Sequence, residues 1–96
     1  MAKRTFQELR NLILIQLYRS KKTINELAND AGVNWKTTEL HLTYLVGKGL
    51  VTEVFASPYA RIFEITEKGK QLVDEINPKG ILRFVKDEKR GRILII

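Results

Sequence analysis

The chain has no cysteine in its 96 residues, which removes disulfides, zinc ribbons and thiol nucleophiles together and leaves packing as the source of stability. It has no long apolar run either. Leu12-Ile13-Leu14-Ile15 is four residues, against the roughly 20 that a bilayer-spanning helix needs, and the amino terminus has no signal-peptide core or cleavage site. A cytoplasmic protein without a membrane partner is therefore expected. The single histidine, His41, has no His, Asp or Cys nearby at metal-ligand spacing, so a hydrogen-bonded structural role or a phosphate contact is expected of it and no metal is implied. The six glycines stand singly, so none builds a phosphate-cradling loop. Asp74-Glu75 and Asp87-Glu88 are sequence neighbours, whose side chains diverge on a helix, and no nucleophile has a base at workable spacing. These absences imply no catalytic residue and no cofactor, and an enzyme is not expected. No internal repeat or low-complexity stretch is present, and no effector pocket is evident.

What is present is the composition of one folded domain, with 44% hydrophobic and 29% charged residues. The formal net charge is +6, which attracts polyanions, nucleic acid above all. That charge is unevenly spread: residues 1–49 carry 8 basic and 4 acidic side chains, 50–78 carry 3 and 5, and 79–96 carry 6 and 2.

Thr5 with Glu8 three residues on has capping-box spacing, and Phe6, Leu9, Ile13 and Leu17 share one helical face, which predicts a first helix from about Phe6 to Arg19. Leu12, Leu14, Ile15 and Tyr18 add apolar residues on its other sides, as in a helix buried on more than one face. Thr23 and Glu26 repeat the capping pattern before a short second helix, about Ile24 to Asp30, with Gly32 placed to end it. Asn34 caps a third helix, about Trp35 to Lys48, whose inward stripe is Thr38, Leu42 and Leu45 with His41 and Val46 at the edges, and Gly49 ends it. Leu50 to Ala56, the turn Ser57-Pro58-Tyr59-Ala60 and the alternating Arg61 to Ile65 read as a β-hairpin. Thr66 caps a short fourth helix that Asn77-Pro78 stops. The tail reads as a second hairpin, Ile81–Val85 and Arg92–Ile96, around a charged turn.

Helix, short helix, glycine-containing turn, longer helix, hairpin, helix is the order of an α+β winged helix-turn-helix fold with a three-helix core, a β-hairpin wing and a short fourth helix. The residues carry a matching resemblance. Ile24 to Asn34 (INELANDAGVN) resembles the helix-turn of many prokaryotic regulators, and Leu42 to Val51 (LTYLVGKGLV) is similar to their closing phrase. Phe63 to Leu72 (FEITEKGKQL) resembles the stretch that follows the wing in archaeal winged-helix transcriptional regulators. The likeness covers about residues 6–77, within a DNA-binding domain of residues 1–78. Residues 79–96 form a separate basic, apolar extension where many dimeric relatives continue into a long helix.

The resemblance implies sequence-specific binding of double-stranded DNA and transcriptional regulation, with the helix at about 35–48 in the major groove and the wing at about 50–65 on the backbone or minor groove. On a projection of that helix the side opposite the core is Lys36, Thr37, Leu40, Thr43 and Gly47, with Tyr44 beside it. Lys36 suits guanine or a phosphate, Thr37 and Thr43 a base or a phosphate, and Leu40 a thymine methyl or, equally, a protein surface. Thr23 and Asn34 stand at helix N-termini, whose free amides suit phosphates. Trp35 either stacks on a sugar or packs back toward Leu42 and Val46, the favoured expectation. Tyr59 and Arg61 flank the wing turn, within reach of the minor groove or backbone. Glu39 is awkward beside phosphates unless it accepts from cytosine or pairs with a lysine. A homodimer through helix 1 and the tail is expected of a reader of two-fold sites, although the tail's cations would equally serve DNA or the solubility of a hairpin covering helix 1. The competing reading is a winged-helix protein–protein module without DNA binding, which Leu40, Tyr44 and Glu39 favour.

Overall fold

The computed structural model describes residues 5–78 and the backbone of residues 84–87 and 92–95. Its first element, α1 (Phe6–Arg19), begins where the Thr5 hydroxyl accepts from the Glu8 amide at 3.1 Å. All six residues from Leu12 to Leu17 are buried, including Gln16, so the helix is enclosed on every side by the elements that follow. Phe6, expected on the inward face, is instead largely exposed, with its ring edge-on to that of His41 rather than sunk into the core.

A two-residue strand, β1 (Lys22–Thr23), leads directly into α2 (Ile24–Ala31). Here the capping box is complete: the Thr23 hydroxyl accepts from the Glu26 amide, and the Glu26 carboxylate accepts from the Thr23 amide, both at 3.1 Å. Gly32 ends α2 at φ 69°, a left-handed conformation that lets its amide and that of Val33 donate to the Asn29 and Ala28 carbonyls. Asn34 then caps α3 (Trp35–Gly47), its Oδ1 accepting from the Thr37 amide at 2.7 Å. Gly49, at φ 74°, turns the chain out of α3.

The wing is β2 (Val51–Ala56) and β3 (Arg61–Ile65), paired antiparallel from Val51 opposite Ile65 to Ala56 opposite Arg61. Its register shifts between Glu53 and Phe55, a bulge beside which Val54 and Phe55 are exposed. β1 pairs with the other edge of β3, Lys22 opposite Phe63 and Thr23 opposite Ile62, so the order is β1-β3-β2 and β3 is central. Sequence reading gave no sign of β1, since two residues carry no periodicity.

α4 (Glu67–Ile76) is capped by Thr66 and closes the core, in which Leu14, Leu17, Leu27, Leu42, Leu45, Phe63 and Val73 meet. In α3, Thr38, His41, Leu42 and Leu45 are the buried residues. His41 thus belongs to the core stripe, only 1% exposed, and Val46 is exposed; the expectation that both sit at the edge is corrected. The covering group is the first half of α1, which crosses over His41.

The tail's described backbone forms β4 (Phe84–Asp87) and β5 (Arg92–Ile95), an antiparallel pair with Phe84 opposite Ile95, and β5 runs alongside α2. The expected strand residues Ile81, Leu82, Arg83 and Ile96 lie outside the described residues, as do the tail's side chains.

Candidate nucleic-acid interface

Packing Thr38, His41, Leu42 and Leu45 inward fixes the opposite face of α3 outward. Lys36, Leu40, Thr43, Tyr44 and Gly47 are all exposed there, Leu40 by 61%, and Thr37 is half-buried at the margin. With Tyr44 and Val46, also exposed, Leu40 gives this side of α3 an apolar component beside Lys36 and Thr43.

Thr23 and Asn34 are occupied as caps. The Thr23 hydroxyl is within 3.1 Å of both the Glu26 amide and its carboxylate, and the Asn34 side chain holds the Thr37 amide. What these positions offer a ligand is the remaining amides of the helix first turns, which have no acceptor within the helix. Trp35 is 42% exposed and lines a small cleft with Ile24, Asn25 and the turn Ser57 to Arg61. Its expected packing toward Leu42 and Val46 is corrected: helical side chains lean toward the N-terminus, which at the first position carries the indole off the helix and toward the wing.

At the wing, the Ser57 amide donates to the Ala60 carbonyl at 2.8 Å, and the Ser57 hydroxyl accepts from the Tyr59 and Ala60 amides. A turn tied down in this way presents Tyr59 at its tip, 91% exposed. Arg61 is committed elsewhere. Its Nε and Nη1 donate to Glu53 and Glu39 respectively, each at 2.6 Å, and its Nη2 to Glu53 at 3.3 Å. Glu39 therefore has an arginine partner, which sequence reasoning did not foresee. The hydrogen bond from Arg61 holds the Glu53 carboxyl below its ordinary pKa, and the same bond raises that of Arg61. One guanidinium so fastens the wing to α3.

Sequence reading also missed a cluster where α1 crosses α3. The Arg10 guanidinium lies 3.6 Å from the centre of the Tyr44 ring, and its Nε donates to His41 Nδ1 at 3.2 Å. Phe6 meets the His41 ring edge-on at 5.1 Å. Acceptance at Nδ1 puts the imidazole proton on Nε2, which is buried without a partner among the described residues. Burial, and then the Arg10 charge, lower the His41 pKa and so favour the neutral ring. Arg10 and His41 are 31 residues apart, and no local pattern announces the pair.

Among the described residues no group of three or more His, Cys, Asp or Glu could hold a metal ion. No helix among them is long and apolar enough to cross a membrane.

No curated protein matches the sequence. Among solved structures, the transcriptional regulator BldR of Sulfolobus solfataricus is similar at 30% identity and TM-score 0.68, over 73% of this chain and 52% of its own. S. aureus MepR in a DNA complex shares 20% identity, TM-score 0.68, over 76% and 64%. The homodimeric winged helix-turn-helix DNA-binding domain of a possible ArsR-family regulator from Mycobacterium bovis shares 22%, TM-score 0.65, over 75% and 67%. The chain spans about half the length of the first regulators it matches. The winged helix-turn-helix family profile matches residues 3–80, and with the three-helix core, the wing and the fourth helix described above, this chain belongs to the winged helix-turn-helix family.

Proposed function

We propose that the chain is a transcriptional regulator that binds double-stranded DNA in the cytoplasm, with α3 in the major groove and the wing beside it. The observation that carries this reading is the exposed stripe of Lys36, Leu40 and Thr43 on a helix whose opposite face is wholly buried. Lys36 is assigned to guanine or a phosphate, Thr37 and Thr43 to phosphate or base oxygens, Leu40 to a thymine methyl, and the amides after Thr23 and Asn34 to phosphates. Trp35 and Tyr59, on either side of the wing cleft, are assigned to the sugar–phosphate edge. Arg61 acts in this reading by holding the wing in place. BldR, a transcriptional regulator, and MepR, solved with DNA, support it.

Two copies are proposed to associate, as in the homodimeric domain from Mycobacterium bovis. The apolar residues of α1 from Leu12 to Leu17 are already buried within one chain, which shifts the proposed contact from α1 toward the tail. Sedimentation equilibrium returning a monomer at high concentration would remove this part. A protein partner in place of DNA is favoured by the exposed Leu40 and Tyr44.

Fluorescence anisotropy with a random-sequence duplex separates the readings. Each phosphate neutralised contributes about −0.9 to the slope of log affinity against log salt, so Lys36→Ala should weaken binding and flatten that slope by about 1. Affinity indifferent to salt, or no duplex binding in the low-salt limit, would give the surface to a protein partner.

A further inference from the structure

A cavity of about 540 Å³ opens between α1, the end of α3 and α4, within the range of small-molecule sites. Its floor is apolar, made by Leu14, Leu45, Leu50 and Leu72. Its walls carry three cations, Arg10, Lys48 and Lys68, with Glu75 as the single acidic lining residue. None of the three cations is in an ion pair among the described residues, where both ion pairs use Arg61. Among the described residues Lys68 Nζ donates to the Lys48 carbonyl at 3.1 Å, Arg10 meets an acceptor only at its Nε, and Arg10 and Lys48 lie 3.6 and 5.6 Å from the centre of the Tyr44 ring. Cations without a carboxylate partner among the described residues, set around an apolar floor, match a molecule with one negative end and one apolar body.

We propose that this cavity is a binding site for a small amphipathic anion, an aromatic or branched carboxylate, that acts on the recognition helix. The carboxylate sits against Arg10 and Lys68, and the apolar body lies on the four leucines. Coupling follows from Arg10, which lines the cavity while its guanidinium packs on Tyr44 and holds His41, both on α3. A carboxylate that pairs with the guanidinium competes for it with Tyr44, which lines the same cavity, and with His41. The site itself stands apart from the DNA reading, and only its effect on DNA affinity rests on that reading.

The test titrates naphthalene-2-carboxylate, and separately its neutral carboxamide, into the isotope-labelled full chain and follows backbone amide resonances. Saturable shifts confined to α1, the last turns of α3 and α4, with the carboxamide about tenfold weaker, are expected. Arg10→Gln should weaken the carboxylate about tenfold, and the exposed Lys68→Gln, which leaves the core untouched, should weaken it in the same direction. Equal binding of the carboxamide, shifts scattered over the fold, or the same shifts produced by raising protein concentration alone would overturn the site. With carboxylate bound, an unchanged duplex affinity would overturn the coupling. A chain that takes the carboxylate and binds no duplex at any salt counts against the DNA reading alone.

Discussion

Replacing Gly69 by alanine tests how tightly α4 is seated on the wing. Gly69 is the third residue of α4, where its amide donates to the capping Thr66 hydroxyl at 3.1 Å. A Cβ built on it would fall against the Leu50 carbonyl oxygen and 2.6 Å from Ile65 Cγ1. Neither neighbour is free to retreat. The Leu50 carbonyl accepts from the Thr66 amide at 3.0 Å, the Thr66 hydroxyl donates to the Gly49 carbonyl at 2.6 Å, and Ile65 is a buried core residue. Overpacking of this kind costs about 1–3 kcal/mol, and a rigid backbone obstacle puts it at the upper end. Alanine returns about 1 kcal/mol of helix propensity, so a net loss of about 2 kcal/mol is expected. For a domain of this size that lowers Tm by about 8–16 °C, measurable by circular dichroism. Gly47→Ala is the matched control, since nothing lies within 4 Å of a Cβ there and its φ is not positive. It should gain up to about 1 kcal/mol. If Gly69→Ala were as stable as the parent, the close approach of α4 to the Leu50 carbonyl would be wrong.

A double-mutant cycle on Arg61 and Glu39, read by urea unfolding, should give a coupling of about 0.5–1 kcal/mol, as partly exposed pairs do; a value of zero would mean that the wing is not fastened to α3. The lowered pKa of His41 predicts a pH dependence with a definite sign. The unfolded chain binds the extra proton first, so stability is fully present above the ordinary histidine value near 6.5 and falls as pH drops from there toward the folded value. Urea midpoints between pH 7.5 and 5 should show that loss, and His41→Phe should flatten it; an unchanged slope in the variant would assign it to other groups. Gly49→Ala should cost about 1 kcal/mol in thermal unfolding although its Cβ would meet open space, because φ is 74° there.

The helices were legible where their signals were local. Thr23 with Glu26, Gly32, Asn34 and Gly49 each act within four residues, and each does in the fold what its spacing predicts. The end of α2 moved by one residue, from Asp30 to Ala31, and that of α3 from Lys48 to Gly47, because helix ends fray. What could not be read depends on distant partners. The burial of His41 is decided by Phe6 and Arg10, the role of Glu39 by Arg61, and the existence of β1 by the free edge of β3. A helical wheel ranks positions by angle alone and is blind to the helix that crosses above them. The cavity followed the same rule, since its leucines and cations come from three separate helices and the segment between α3 and β2.

The Arg61 clamp also sets what the surface rejects. Glu39 on α3 and Glu53 on β2 share one guanidinium, which lies between the two carboxylates. A phosphate that drew Arg61 away would meet Glu39 and Glu53 uncovered, so the exchange of partners repels the very group that prompts it. The corner between α3 and the wing thus carries a net charge of −1, two carboxylates against one guanidinium, and adds nothing to the attraction of a polyanion. Under the proposed function, the attraction of a duplex has to come from Lys36 and the amides of the helix first turns, and Arg61 contributes by holding the wing rather than by holding a phosphate.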